Sequence, residues 1–217
     1  MLSAHCVCAT LNAEHAVIRQ TIASMDALLR GAAWRLPGDE RERIGVLMRF
    51  LQVFDDTCHT PKERRLALAL KGRSADADRL MGELVADRER DTALLSQALQ
   101  LLLRLEAGNV VLLDSFFGVL QRHRADVLRR IHTEERSLQE MAKQLLSEDE
   151  WAQIASEMSW VPKAPTLDDA QWTAEGPVSV TQRRRADDIA ARAQSTRVNR
   201  RELAAQRTPS NPPAPLN

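Results

Sequence analysis

The sequence predicts an all-α fold: an up-down-up-down four-helix bundle with a short fifth helix and a C-terminal extension. Three observations predict it. Apolar residues recur in steps of three and four over long stretches, the spacing of a helix that buries one stripe. Breaks at Gly31 to Gly38, Gly72-Arg73-Ser74 and Gly108-Asn109 divide those stretches into four. Aromatic residues make up 4% of the 217 and tyrosine is absent, which suits a leucine- and alanine-rich helical protein better than a sheet.

The first helix is predicted over about Leu11 to Arg30, with the stripe Leu11, His15, Ile18, Ile22, Met25 and Leu29. Residues 1–9 carry His5, Cys6 and Cys8; a Cys-x-Cys beside a histidine is a weak metal pattern, and a mobile end is the plainer expectation. Asp39 with Glu42 three on reads as a capping box opening helix two. Its stripe runs Ile44, Leu47, Leu51, Phe54, Cys58, then slips by one residue and continues as His59, Glu63, Leu66, Leu70. Pro61 lies at the slip, where its missing N–H and its ring disrupt an α-helix. A kink or a π-bulge would absorb the slip.

Helix three carries Leu84, Arg88, Asp91, Leu95, Ala98, Leu102 and Leu105. Helix four is predicted as one long element over about Val110 to Leu146, with Leu113, Phe117, Leu120, His123, Val127, Arg130, Glu134, Leu138, Met141 and Leu145 on its stripe. His132 and Glu135 fall off that stripe and are expected at the surface. Ser147 to Glu150 forms a second capping box, opening a short fifth helix that buries Trp151, Ile154 and Met158. The bundle is therefore placed at residues 1–158. A Pro- and Arg-rich extension, 159–217, is expected to be partly helical or disordered.

Lys+Arg 30 balances Asp+Glu 30, so no global field steers the chain toward nucleic acid or a membrane. Three cysteines, an odd and sparse set, fit a reducing compartment. With no secretory signal pattern and no apolar run long enough to span a bilayer, the expected location is the cytoplasm.

Each of the four stripes is interrupted by polar groups: His15, then His59 with Glu63, then Arg88 with Asp91, then His123, Arg130 and Glu134. Helices that aim polar groups at one axis build a site inside a bundle. The five-residue element His59-Thr60-Pro61-Lys62-Glu63, preceded by Glu14-His15 and followed by Glu134-Glu135, Leu145-Leu146 and Glu150-Trp151, resembles the hemerythrin-like, or HHE cation-binding, family over about residues 10 to 158. The resemblance implies a non-haem di-iron site held by histidines and bridging carboxylates. Carried over by position, it gives His15, His59, Glu63 and Glu134 as metal ligands. The sequence departs from the pattern at two expected histidines, where Arg88 and Arg130 stand. A guanidinium has no lone pair for a metal.

Two readings of the pocket stay open. In one, His15, His59, Glu63 and Glu134 hold a single Fe, Mn or Zn ion. In the other the bundle is metal-free: Arg88 and Arg130 pair with Glu63, Glu134 and Asp91, and the protein is structural or binds a partner. The C-terminal arm is the expected contact for a protein partner. Its Arg-rich stretch, 183–207, has no aromatic residue to stack on bases and is diluted by Asp187, Asp188 and Glu202, so it does not point to nucleic acid. No nucleophile–base constellation, phosphate loop or cysteine zinc pattern argues for turnover.

Overall fold

The computed structural model describes residues 2–161. The C-terminal arm, from residue 162 on, lies outside the described residues. Among the described residues every regular element is helical. None of these helices is long and apolar enough to cross a membrane.

α1 spans Leu2–Arg30 and begins well before the predicted Leu11. Ala4, Val7 and Cys8 continue its buried stripe and join Leu66, Leu70, Leu80, Trp151, Ile154 and Met158 in one apolar cluster. The expected mobile end is therefore a packed helix, because α7 (Glu148–Ser159) lies across it. Cys6 is exposed and Cys8 buried, so the two thiols do not share a site.

A short 3₁₀ turn, Ala33–Arg35, leads to α2 at Asp39–Phe54. The capping box predicted at Asp39 is not formed: Gly38, at φ 143°, is the N-cap and supplies no side chain. α2 packs closely on α4 (Ala75–Glu106), and Gly45 permits it, since a Cβ there would lie 2.9 Å from Leu102 Cδ2. The predicted phase slip is a π-helical turn, Asp55–His59, directly followed by α3 at Thr60–Leu70 with Pro61 in its first turn.

α4 opens on Ser74, whose hydroxyl accepts from the Ala77 amide. It closes in a Schellman motif: Asn109 N–H donates to Arg104 O, Gly108 N–H to Leu105 O, and Gly108 has φ 91°. The predicted fourth helix is divided. α5 spans Leu113–Thr133, a second π-helical turn covers Glu134–Leu138, and α6 runs Gln139–Leu145. The predicted capping box at Ser147 and Glu150 is complete and opens α7.

Most predicted stripe positions are buried, including Ile18, Ile22 and Met25 on α1, Leu47 and Leu51 on α2, Leu95 and Leu102 on α4, and Leu120 and Val127 on α5; near the ends of the predicted fourth helix Phe116, Ala142 and Leu146 are buried in place of Phe117, Met141 and Leu145. The polar positions inside these stripes are buried as well, apart from the partly exposed Arg88.

Candidate metal centre

The two π-helical turns fix what faces the interior. An extra residue per turn rotates the chain, so that groups before and after the turn share one face. In the first, Cys58 and His59 are both fully buried, and Glu63 follows one α-turn on at 3% exposed. In the second, Glu134 is buried while its neighbour Glu135 still reaches α1.

His15 from α1, His59 and Glu134 converge. One nitrogen of each ring and one carboxylate oxygen of Glu134 lie within 4.8 Å of one another. His15 Nε2 stands 2.9 Å and His59 Nε2 3.7 Å from Glu134 Oε2. None of these three atoms has an aligned hydrogen-bond partner, although each is buried. The rings meet edge to face, with centroids 4.8 Å apart.

The opposite nitrogen of each ring is held. His15 Nδ1 donates to Glu135 Oε1 at 3.0 Å, and Arg19 clamps Glu135 with bonds of 2.8 and 2.6 Å. His59 Nδ1 donates to Glu14 Oε2 at 3.2 Å, and Lys62 binds the other oxygen of Glu14. Each histidine therefore sits in a carboxylate–imidazole pair of the kind that orients metal ligands. An Nδ1–H donated outward leaves the Nε2 lone pair facing inward. Two such lone pairs opposite a carboxylate repel unless a positive charge lies between them.

The local electrostatics carry the same demand. Burial alone would pull the His59 imidazole down, but the carboxylates of Glu134 and Glu14 outweigh it and hold its pKa above the usual histidine value. Burial would push Glu134 up, yet His15, His59 and Arg130 hold its carboxyl well below the ordinary range.

Around the convergent group lies an arginine network. Arg88 donates to Glu63 Oε2 and approaches Glu134 Oε1 at 3.5 Å. Arg130 donates from Nε to Asp91 Oδ2 at 2.7 Å and from NH1 to Glu134 Oε1 at 2.9 Å. Arg88 and Asp91, three apart on α4, thus pair across the bundle instead of with each other. Burial and the nearby Arg130 charge lower the Arg88 guanidinium, whereas Glu134, Asp55 and Asp91 more than offset burial at Arg130 and raise it.

The predicted ligand positions therefore divide. His15, His59 and Glu134 come together with their free atoms facing one point. Glu63 Oε2 lies 3.6 Å from His59 Nε2 but takes the Arg88 guanidinium. Glu135, expected at the surface, holds His15, and Glu14 holds His59. His123 lies buried beside Arg130, outside the convergent group. His132 is exposed as expected. A buried two-histidine, one-carboxylate group of this kind could hold a metal ion.

Comparison of the chain with protein-family models, with curated proteins and with solved structures finds no match.

Proposed function

We propose that this protein is a hemerythrin-like, metal-binding helical bundle with a reduced centre for one divalent transition ion. His15 Nε2, His59 Nε2 and Glu134 Oε2 would hold the ion. The observation that carries this reading is that these three buried atoms lack aligned hydrogen-bond partners and lie within 4.8 Å of one another. Leaving a buried polar atom without a hydrogen bond costs about 1–3 kcal/mol, and three such atoms, two of them 2.9 Å apart, favour a shared cation among them. Two imidazoles and a carboxylate suit Fe(II), Mn(II) or Zn(II), and such an ion would supply Lewis acidity, with redox chemistry in the case of iron. The protein's own part is orientation: Glu135 with Arg19, and Glu14 with Lys62, fix the imidazoles.

The topology that goes with this reading is up-down-up-down. The short connections at 31–38, 71–74 and 107–112 favour antiparallel neighbours. Arg88 and Arg130 stand where further ligands would be needed for a second ion, and their charge opposes one.

A second reading has its own support. Arg88 on Glu63, and Arg130 on Glu134 and Asp91, already neutralise three buried carboxylates, as a metal-free structural or partner-binding bundle would require. Metal analysis of the gently purified full chain separates the two, together with a Co(II) titration followed by visible absorption. We expect about one ion per chain and a Co(II) spectrum lost in His15→Ala and His59→Ala. No retained metal and no Co(II) spectrum would establish the metal-free bundle. About two ions per chain would overturn both readings.

A further inference from the structure

Beside Arg130, and lined by neither His15 nor His59, the structure holds a cavity of about 30 Å³. That volume admits about one or two waters, or a ligand of two to three heavy atoms. Its polar lining is incompletely bonded. His123 Nδ1, Asp91 Oδ1 and Asp55 Oδ1 all belong to residues that line it, and none has a hydrogen-bond partner. His123 and Asp91 are each 4% exposed, so water outside the protein does not serve them. Ile18, Leu51, Leu95 and Val127 wall the space with apolar surface, and the exposed Asp56 and Thr92 stand at its mouth.

Charge narrows the occupant. The lining residues bring three carboxylates, Asp55, Asp56 and Asp91, and one guanidinium, Arg130, which is already engaged by Asp91 Oδ2 and Glu134. Burial and the Arg130 charge keep His123 neutral, its pKa pushed down to about 4. Burial, with Asp55 close by, raises both Asp56 and Asp91, the latter to about 6. The cavity is thus an acceptor-rich, net-negative space in which Gln52 and Thr92 are the neutral donors of the lining. An anion is repelled, and a large organic molecule does not fit.

We propose that this cavity is a second ligand site, distinct from the metal centre, for a small protonated amine of the ammonium or methylammonium class. The N–H groups satisfy Asp55 Oδ1, Asp91 Oδ1 and His123 Nδ1, and a methyl group lies on the apolar wall.

The test uses the full chain with EDTA present, so that an amine cannot act through a bound metal and a failure of the metal reading leaves this one intact. Thermal unfolding and calorimetry compare methylammonium chloride with sodium chloride and tetramethylammonium chloride at equal ionic strength. We expect saturable stabilisation and one site per chain for methylammonium, with neither control stabilising. Asp55→Asn, at a half-buried position, is expected to weaken binding about tenfold, the equivalent of one charged hydrogen bond. His15→Ala is expected to bind methylammonium as the native chain does. Identical melting in all three salts overturns the proposal, as does binding that disappears with EDTA or is untouched by Asp55→Asn.

Discussion

Arg41 and Arg130 are each 2% exposed, and they are held in opposite ways. Arg41 gives its guanidinium to three backbone carbonyls: Nε to Trp34 O at 3.1 Å, NH1 to Leu105 O at 3.2 Å and NH2 to Arg35 O at 2.5 Å. It ties the turn before α2 to the end of α4, beside Trp34, which itself donates to Leu29 O and stacks on Phe117. Arg130 faces carboxylates, with Asp91 and Glu134 in direct contact and Asp55 at 3.8 Å. Neutral acceptors make a clip, whereas charged acceptors make a balance that every neighbouring ionisable group feels. A buried arginine is therefore not itself the mark of a functional region; the groups that receive it are.

The largest expected effect breaks that contrast directly. Arg130→Met leaves Asp91 buried without its ion-pair partner, takes from Glu134 the donor on Oε1, and is expected to cost about 3–5 kcal/mol near neutral pH. Arg41→Met removes bonds to neutral carbonyls and is expected to cost about 2–3 kcal/mol. The pH dependence separates them more sharply than the size. Carboxylates stripped of Arg130 bind protons more tightly in the folded state, so the Arg130→Met deficit shrinks as pH falls. The Arg41→Met deficit stays level, because carbonyls do not titrate. Urea denaturation of both variants from pH 5 to 8 measures this, and parallel curves would erase the distinction.

His123 offers a smaller effect in the same region. Burial, aided by the Arg130 charge against the pull of Asp55 and Asp126, lowers its pKa from 6.5 to about 4. A histidine that is neutral when folded and protonated when unfolded contributes stability above pH 6.5. That contribution is lost as pH falls from 6.5 toward 4. Asp91, raised to about 6, acts with the opposite sign as pH falls through that value. Replacing His123 with leucine removes the first contribution and leaves the second. The stability at pH 5 relative to pH 7 is expected to improve by about 2 kcal/mol over the native chain. An unchanged difference would mean that His123 is charged in the folded protein.

The two arginines also show where sequence reading succeeds. Arg130 was legible because it interrupts an apolar stripe whose other members are local: Val127 before it, Glu134 and Leu138 after it. Arg41 was not, because its role depends on Leu105, 64 residues away. The buried faces were legible for the same local reason, and so was the π-helical turn at 55–59, where the stripe passes from Cys58 to His59 beside Pro61. The second turn left only a faint trace, two successive steps of four from Arg130 through Glu134 to Leu138, which an α-helical stripe tolerates. Missing it hid Glu135. In an unbroken α-helix Glu135 points about 100° away from Glu134, and only the widened turn lets both carboxylates meet His15. The N-terminal turns of α1 were misread because their packing partner, α7, is the last described helix.

The smallest effect extends the contrast from arginine to histidine, since His15 and His59 are oriented by carboxylates of unequal burial. Glu14 is 8% exposed, and its other oxygen holds the nearly buried Lys62. The Glu135 side chain is 26% exposed, and its Arg19 partner is 40% exposed. Glu14→Gln and Glu135→Gln keep size and leave a carbonyl oxygen for the Nδ1–H, but each removes a negative charge and strands a cation near the centre. Loss of a group that orients a ligand lowers metal affinity about 10- to 100-fold. The drop is expected to be larger for Glu14→Gln, where solvent screens less of the stranded Lys62 charge. Competition of each variant with a chelator for Co(II) measures the order, with circular dichroism to check that the helices persist. Equal, undiminished affinities would show that the edge-to-face packing of the two imidazoles orients them unaided, and that Glu14 and Glu135 serve Lys62 and Arg19 instead of the proposed metal centre.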